Sequence, residues 1–597
     1  MLKLFPIALW VSRCSSLPPR SPTCKPIYGS PEWPSASVWR SLNNSISGRL
    51  VTPTPPGAVC HPELPDYDNV ACTEVASHWT NTTFHALNLV SADYNDMACL
   101  PNDTYPCDFR SYPRYVVPAA NAQDIQHAVS FARETRIRLI VKGTGHDVPG
   151  RSSGSDSLSI QTHKLRGLTL NRGDPRALAL GGVGSVKIAA GERMIDVYEF
   201  AAAHNITVVG GADPHVGIGG WIANGGHSPV SAYYGMGADQ VLEMEVVTAD
   251  GAFRTVNQTS DPDLFWALRG GGASNFAVIV SVTVKAYESI SYTGFNFAYN
   301  TTARSDTFWS MVTYFHSQVP QLVKSGLMGY FWVTSLDPSE PDPAMQGKLY
   351  GEWIAPKLSP EQVKDILAPM EEHMKATTWS DPVRTISAGQ EYPDFIKGFA
   401  LQNQADSAGL PIRLGSRLLD ENALSKPLPE LKDALRKASG ESVGWPMLGH
   451  VIAGPGTWKP KGGIAGGSNA VFPAWRKTCM QIALPRSWEP LNDTAKEEIT
   501  TILRTEEVQE LRELAPDTGA YVNEADPTEP DWQKTFNGEN YARLFALKRE
   551  WDPNGVFWYK NGVGSELWEP RGPWGIENGV GQDPVQLCEV GRESYES

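Results

Sequence analysis

Four stretches of the chain put glycine beside side chains that hydrogen-bond or ionise: Lys142–Asp147 (KGTGHD), Gly210–Gly220 (GGADPHVGIGG), Asn224–Asp239 (NGGHSPVSAYYGMGAD) and Arg269–Phe276 (RGGGASNF). Glycine lets backbone N–H groups approach an anion and reaches positive φ, so such loops form phosphate-holding concavities. One loop alone reads as a turn. Four in one region, two of them directly after strand-like runs, point to an extended, phosphate-bearing cofactor. His146 and His227 stand inside these loops, and a neutral imidazole serves as nucleophile or base near neutral pH.

Competing chemistries lack their residues. No Gly-x-Gly-x-x-Gly opens a helix after a strand, which argues against a nicotinamide-binding Rossmann unit, and there is no Walker A sequence. Gly150-Arg-Ser-Ser-Gly154 has the spacing of a hydrolase elbow, but a Gly/Pro loop precedes it and the strand-like Leu158–Ile160 follows. No Cys/His spacing resembles a zinc site, and no metal is expected. With 51 Lys+Arg against 66 Asp+Glu the chain carries a formal charge of −15, so nucleic acid is not an expected partner.

The elements that must carry these loops follow from periodicity and caps. The 597 residues suggest two or three domains. Residues 21–110, rich in Pro, Ser and Asn, read as an irregular arm. At 111–288 the pattern alternates strands and helices. Asn121 is an N-cap with Asp124 at N3, and Ile125, Ala128, Val129 and Ala132 follow at helical spacing. Ile137–Val141 reads as a strand; Val186–Ala190, Met194–His204 and Ile206–Val209 repeat the logic as strand, helix, strand. In 289–510, strands such as Met328–Val333 and Lys348–Ile354 alternate with helices such as Pro360–Ala376, predicting a sheet with helices on one side. Residues 511–570 carry YVNEADP and a helix over Tyr541–Trp551 closed by Pro553 and Gly555. Residues 571–597 form a tail.

YPRYVVPAANAQDIQHAVSFARETRIRLIVKGTGHDVPGRSSG with GGADPHVGIGGWIANGGHSPVSAYYGMGAD resembles the FAD domain of the vanillyl-alcohol oxidase/p-cresol methylhydroxylase superfamily. YVNEADP…WDPNGVFW…NGVGSE is similar to the C-terminal segment of its berberine bridge enzyme-like branch, in fungal members. The resemblance spans about residues 110–570. It implies an α+β fold: a two-part p-cresol methylhydroxylase-type FAD-binding domain with an inserted substrate domain of antiparallel sheet plus helices. It also implies FAD attached through His146, with Gly143, Thr144, Gly145 and Asp147 along the pyrophosphate or ribityl path. Asp213 stands where many relatives carry a second, cysteine tether, so attachment is expected to be single. Val216 would gate dioxygen, with Gly217, Gly219, Gly220, Gly226 and Asp239 completing the cofactor site. His227 occupies a flavin-facing position, either as base or as a structural histidine. Tyr521 and Asn523 border the active site, and His450 is a further candidate on the substrate sheet. The implied activity is an oxidase that moves hydride from an alcohol or secondary metabolite to flavin and then to dioxygen. A desaturase or oxidative cyclase, or a secreted flavin- or carbohydrate-binding protein without turnover, are the alternatives.

Lys3 and the apolar run Leu4–Val11 suggest a signal peptide within residues 1–20, and no stretch is long enough to span a bilayer. Seven Asn-x-Ser/Thr triplets, at Asn43, Asn81, Asn102, Asn205, Asn257, Asn300 and Asn492, fit passage through the secretory lumen. Cys60, Cys72, Cys99 and Cys107 cluster as Cys60/Cys72 and Cys99/Cys107 loops would, whereas Cys14, Cys24, Cys479 and Cys588 are scattered with no readable connectivity.

Overall fold

The computed structural model describes residues 24–571 and 585–590, apart from 273, 377, 404 and 441–444. The expected signal segment, Cys14 and most of the 571–597 tail lie outside the described residues.

Three short apolar runs, β1 (Tyr115–Pro118), β2 (Arg138–Lys142) and β3 (Ser157–Gln161), pair in parallel in the order β1-β3-β2. Their nearly continuous burial is what a parallel sheet covered on both faces requires. The helix Ala122–Thr135 makes the crossover from β1 to β2. Asn121 caps it, its Oδ1 accepting from the Asp124 N–H at 3.0 Å, and Arg136 ends it in the left-handed conformation at φ 60°. Lys142–Asp147 then leaves the carboxyl end of β2, where open α/β sheets present their ligand crevice. The strand Ser157–Gln161 directly after Gly154 rules out a hydrolase elbow, which needs a helix there.

A second, antiparallel sheet follows: β4 (Leu168–Asn171), β5 (Gly184–Ala189), β6 (Ile206–Thr207), β7 (Val241–Thr248), β8 (Phe253–Asn257) and β9 (Ala277–Glu288). Its order is β4-β5-β9-β7-β8, with β6 on β9. Both sheets share one core that includes Val117, Leu139, Val186, Val197, Val246 and Val282.

The inserted region is a seven-stranded antiparallel sheet. Its strands are β10 (Tyr292–Thr301), β11 (Met328–Thr334), β12 (Gly347–Pro356), β13 (Arg384–Tyr392), β14 (Ile412–Asp420), β15 (Met447–Val451) and β16 (Thr478–Ser487). They run in the order β13-β10-β12-β11-β15-β16-β14. Side chains alternate with period two. Phe295, Phe297, Phe331, Trp353, Met447 and Ile482 enter a core with the helices Asp306–Lys324, Pro360–Met374 and Leu428–Ala438. The alternate residues face the first two sheets across a cavity.

The C-terminal segment returns to the first two sheets. Lys548, on the helix Tyr541–Trp551, donates to the carbonyls of Asn275 at 2.6 Å and Phe557 at 2.8 Å, and pairs with Asp552 at 2.7 Å. The arm departs from its irregular expectation: it folds three short helices, Ala36–Ser45, Asn69–His78 and Thr82–Leu87. The reason is local capping, since Asp68 and Asn81 each accept two backbone N–H groups of the helix they open. Trp39 from the first helix packs on Tyr115 and Phe131, with centroids 4.1 and 4.6 Å away.

No helix among the described residues is long and apolar enough to cross a membrane. Asn300 is buried in β10 and donates Nδ2 to the Met345 carbonyl at 3.3 Å, so this sequon offers no room for a glycan. Cys60–Cys72 and Cys99–Cys107 close their local loops, and Cys479 is free and buried. A third bridge, Cys24–Cys588, spans 564 residues and fastens the hairpin of β17 (Trp568–Arg571) and β18 (Gln586–Glu589) to the start of the arm. Non-reducing peptide mapping should recover all three bridges. Cys24→Ser should lower the thermal midpoint, since losing a native disulfide typically costs about 2–4 kcal/mol; an unchanged midpoint would mean that the bridge is not formed.

Candidate active site

Between the glycine loops and the bare face of the seven-stranded sheet lies a cavity of about 1080 Å³. A single drug-sized ligand usually occupies roughly 300–1,000 Å³, so this space accommodates a dinucleotide-sized group with a second molecule beside it. Arg151 Nη1, Asn224 Oδ1, His227 Nδ1 and Tyr330 Oη all belong to lining residues, are buried, and find no hydrogen-bond partner among the described residues. Orphaned buried polar atoms are costly unless a ligand completes them. These donors and acceptors together fit a polar cofactor, and the Arg151 guanidinium suits a phosphate.

Gly143, Thr144 and Gly145 line the cavity, as do Asp213, Val216, Gly217, Gly219 and Gly220. Gly145 has φ +88°, and a Cβ there would sit 3.2 Å from the Ser91 carbonyl oxygen. A Cβ at Gly219 or Gly220 would meet no atom of the described residues within 4 Å. Protein packing therefore does not demand glycine at these two positions; their bare backbone is open to a ligand. Asp147 reaches the cavity wall, but its carboxylate is taken by Arg151 and by the Arg151 and Ser152 N–H groups, which closes a turn.

Other glycine-loop residues are placed elsewhere. Asp239 does not line the cavity; it is fully buried in a two-point pair with Arg476 at 2.7 and 2.8 Å. Gly226 is likewise outside the lining, where a Cβ would strike the Trp221 ring at 2.7 Å. In the fourth loop Gly270 lets the Val471 backbone come close, since a Cβ there would stand 2.4 Å from the Val471 nitrogen. Its neighbour Arg269 donates to the carbonyls of Gly466, Gly467 and Ser468. These glycines make room for protein neighbours.

His146 is met by a residue from the arm. Its Nδ1 lies 2.9 Å from Oδ2 of Asp93, which is completely buried on the stretch after the helix Thr82–Leu87. The Asp93 N–H donates to the Gly145 carbonyl at 3.1 Å, and its carbonyl accepts from Gly409 at 2.7 Å, so arm, loop and inserted region meet at one residue. Burial opposes charge on His146, but the hydrogen bond to Asp93 and the charges of Asp213 and Asp93 outweigh it and lift the imidazole to about 10. Nε2 is left as the ring nitrogen without a bond to Asp93. Asp213 also clamps chain to chain: one oxygen accepts from the His215 N–H at 2.6 Å, the other from the Asp406 N–H at 2.7 Å.

His227 and His450 converge on Glu524. His227 Nε2 donates to Glu524 Oε1 at 2.7 Å, Gln481 Nε2 donates to Oε2 at 2.7 Å, and His450 Nδ1 lies at ion-pair distance, 3.4 Å, from Oε2. Burial alone would raise the Glu524 carboxyl, but the two histidines outweigh it and hold it well below the ordinary carboxylate range. His227 Nδ1 remains as the ring's unpartnered nitrogen. Tyr521 packs edge-on to His227 at 5.0 Å between centroids. Its hydroxyl accepts from Asn523 Nδ2 at 2.5 Å, and Asn523 Oδ1 accepts from Arg151 at 2.8 Å. Burial pushes the Tyr521 phenol up, with Glu524 adding to it, so the group stays protonated at neutral pH.

Comparison with known proteins decides the family. The model of an FAD binding domain matches residues 113–257, and the "berberine and berberine like" model matches 520–564. FAD-linked oxidoreductase ZEB1 of Gibberella zeae is 32% identical over 559 residues, covering 92% of this chain and 94% of the relative. The chain belongs to the vanillyl-alcohol oxidase/berberine bridge enzyme-like family of FAD-linked oxidoreductases. Within this family, VAO-type flavoprotein oxidase VAO615 of Thermothelomyces thermophilus is 31% identical over 92% of this chain and 94% of the relative. The crystal structure of VAO-type flavoprotein MtVAO713 from Myceliophthora thermophila C1 superposes with a TM-score of 0.86 at 27% identity, covering 96% of this chain and all of that one. The α+β architecture expected from the motifs is thus the family's own.

Sequence reading missed Asp93, Arg151, Gln481 and Glu524. Glu524 was within reach, next to Asn523 in YVNEADP. Asp93 carried no signal, because nothing local marks an arm residue that packs against position 146. A carboxyl held below its unfolded value, ~4.3, stabilises the fold above that pH, and the contribution disappears as pH falls through its depressed folded value. Glu524→Gln should therefore lower the thermal midpoint at pH 6, and the gap to wild type should close in strong acid. A gap that persists unchanged would show that Glu524 is not the ionised centre of this cluster.

Proposed function

We propose that this FAD-linked oxidoreductase is an oxidase that removes a proton and a hydride from an alcohol-bearing substrate, with His227 as base. The observation that carries the reading is the His227–Glu524 pair facing the cavity beside the glycine loops. FAD, when bound, would supply the acceptor for hydride from the carbon next to the oxygen and the two-electron route to dioxygen, with hydrogen peroxide as product. His227 takes the hydroxyl proton on Nδ1 while Glu524 fixes the tautomer and stabilises the resulting imidazolium. Tyr521, held as a phenol, offers a hydrogen bond rather than a second base. Glu524 is a positioning residue.

His146 is the residue that would hold the cofactor covalently. Asp93 engages Nδ1 and leaves Nε2, once it has given up its proton, as the nitrogen for bond formation. Asp213 forms no thioether, which supports a single attachment. Relatives include bifunctional decalin synthase calF of Penicillium decumbens, 30% identical over 92% of this chain and 94% of the relative, so an oxidative cyclisation built on the same proton-and-hydride step is the second reading. Three disulfides among the described residues support a secreted or lumenal location, where oxidising conditions preserve them.

Anaerobic addition of substrate should bleach the flavin's visible band; binding without bleaching would leave a flavin-binding protein instead. His227→Phe should keep the flavin spectrum while slowing reduction about 10²–10⁴-fold, the usual range for a general base, and an unchanged rate and pH profile would assign His227 a structural role. Acid-precipitated wild type should stay yellow, and peptide mapping should place the adduct on His146. His146→Ala should carry only dissociable FAD, and Asp93→Asn should incorporate covalent flavin more slowly; a colourless wild-type pellet defeats the attachment. Val216 lines the cavity, and Val216→Leu should slow reoxidation by oxygen in stopped flow without a comparable loss of reduction. An equal reoxidation rate removes Val216 as a gate.

A further inference from the structure

Among the described residues, three places bring three histidine, cysteine or carboxylate ligand atoms within 4.8 Å of one another. Two of them are already spent. At His61, Cys99 and Cys107 the two sulfurs are bonded to each other, so no thiolate is available. At His146, Asp213 and Asp406, Asp213 gives one oxygen to the His215 N–H and the other to the Asp406 N–H, while Asp93 holds His146 Nδ1. The third place is His227, His450 and Glu524. Its members come from a glycine loop, from β15 and from the end of the short helix Val522–Glu524, so no spacing within one segment marks it.

This third group is incompletely bonded. His227 Nε2 stands 2.7 Å from Glu524 Oε1, a short hydrogen bond, and His450 Nδ1 stands 3.4 Å from Oε2. The second contact is not closed: His450 Nδ1 is buried and finds no hydrogen-bond partner among the described residues. Gln481, opposite His450 on β16, is completely buried beside them. Its Nε2 donates to Glu524 Oε2 at 2.7 Å, and its Oε1 likewise finds no partner among the described residues. Buried polar atoms left without partners are costly. An amide that fixes a carboxylate from behind is the outer support that metal ligands usually have.

Size and ligand chemistry select the cation. Tetrahedral bonds of about 2.0–2.2 Å to imidazole nitrogen and carboxylate oxygen set the ligand atoms roughly 3.3–3.6 Å apart. The separations in this group, from 2.7 Å to no more than 4.8 Å, straddle that value. Two imidazoles and one carboxylate suit Zn2+, whereas Ca2+ and Mg2+ require a shell of oxygens. His227, His450 and Glu524 all line the cavity, so a fourth coordination position would open into it.

We propose that His227, His450 and Glu524 form a Zn2+ site inside the cavity, and that Zn2+ bound there switches off His227 as a base. The site stands on the geometry alone; the switch rests on the oxidoreductase reading above. An imidazole that ligates through Nε2 carries its proton on Nδ1. Nδ1 is the atom that otherwise takes the hydroxyl proton, so the cation turns an acceptor into a donor. The proton formerly shared by His227 Nε2 and Glu524 Oε1 moves to Nδ1, and no bond to substrate or cofactor is made or broken.

The test starts from flavin-loaded protein dialysed first against a chelator and then against micromolar free Zn2+, with zinc measured by atomic absorption. Wild type should bind one equivalent, and X-ray absorption at the zinc edge should show nitrogen and oxygen ligands at about 2.0–2.2 Å without sulfur. His450→Phe and Glu524→Gln should each lose the stoichiometric zinc. Gln481→Leu should keep the ligands but weaken binding about 10–100-fold, the usual effect of removing an outer partner, while His450→Asp, which restores a ligand, should regain zinc lost in His450→Phe and so separates ligation from misfolding. No bound zinc in wild type, or the same zinc content in wild type and in both ligand-removing variants (an adventitious cation only), would overturn the site. Anaerobic flavin reduction by substrate is scored separately, with and without Zn2+. Reduction that stops when one equivalent binds upholds the switch, and reduction undiminished by that equivalent overturns it. Substrate that reduces neither form sinks the oxidase reading, and zinc content still decides the site.

Discussion

Period-two alternation along seven paired strands gives the inserted sheet two unlike faces, and the active site exists because only one of them is buried by helices. On one face, Phe297, Phe331 and Trp353 are locked into a core with three helices. Removing a large aromatic from such a core costs about 3–5 kcal/mol, so register is strongly specified there. A slip of one residue would turn His450 and Tyr330 into that core and expose phenylalanines to the cavity. Packing on the helix side thus fixes chemistry on the other side. No residue of the cavity face has to specify its own position.

The second constraint is electrostatic. Two carboxylates far apart in sequence, the fully buried Asp93 and the half-buried Glu524, each meet a histidine on a glycine loop. An unpaired buried charge is expensive, and pairing with hydrogen bonds offsets the loss of water. Each pair also joins chain segments: Asp93 ties the arm to the loop after β2, and Glu524 ties the C-terminal segment to His227 and to the inserted sheet through Gln481. The same groups that engage the two imidazoles hold three parts of the chain around one cavity. The arm and the return of the C-terminus are therefore parts of the site.

The family likeness spans nearly the whole chain at about one-third identity, and the fold superposes on a VAO-type flavoprotein over 96% of the chain. On the cavity wall Asp213 clamps the His215 and Asp406 N–H groups, and the paired strands β11 and β12 carry the stacked Trp332 and Tyr350. Those positions lie on surfaces whose neighbours across the cavity are absent from the protein itself, so packing tolerates different residues there.

Local signals determined much of this protein in advance. The Asn121 cap, the helix face Ile125–Ala132, the strand Leu158–Ile160 and the helix Tyr541–Trp551 were legible because capping, periodicity and Gly/Pro punctuation act within a few residues. Glycine spacing marked the cofactor loops for the same reason, since positive φ and a missing Cβ are local properties. Composition underestimated the arm, where caps at Asp68 and Asn81 were enough for helices. Only the tertiary structure decided which glycines are open to the cavity: Gly219 and Gly220 are, whereas Gly226 and Gly270 make room for Trp221 and Val471. It alone joined Asp93 to His146 and Glu524 to His227, placed Asp239 on Arg476, and closed Cys24 on Cys588. These pairs are separated by tens to hundreds of residues, and a contact of that separation is written in the complementarity of two surfaces rather than in the spacing of one segment.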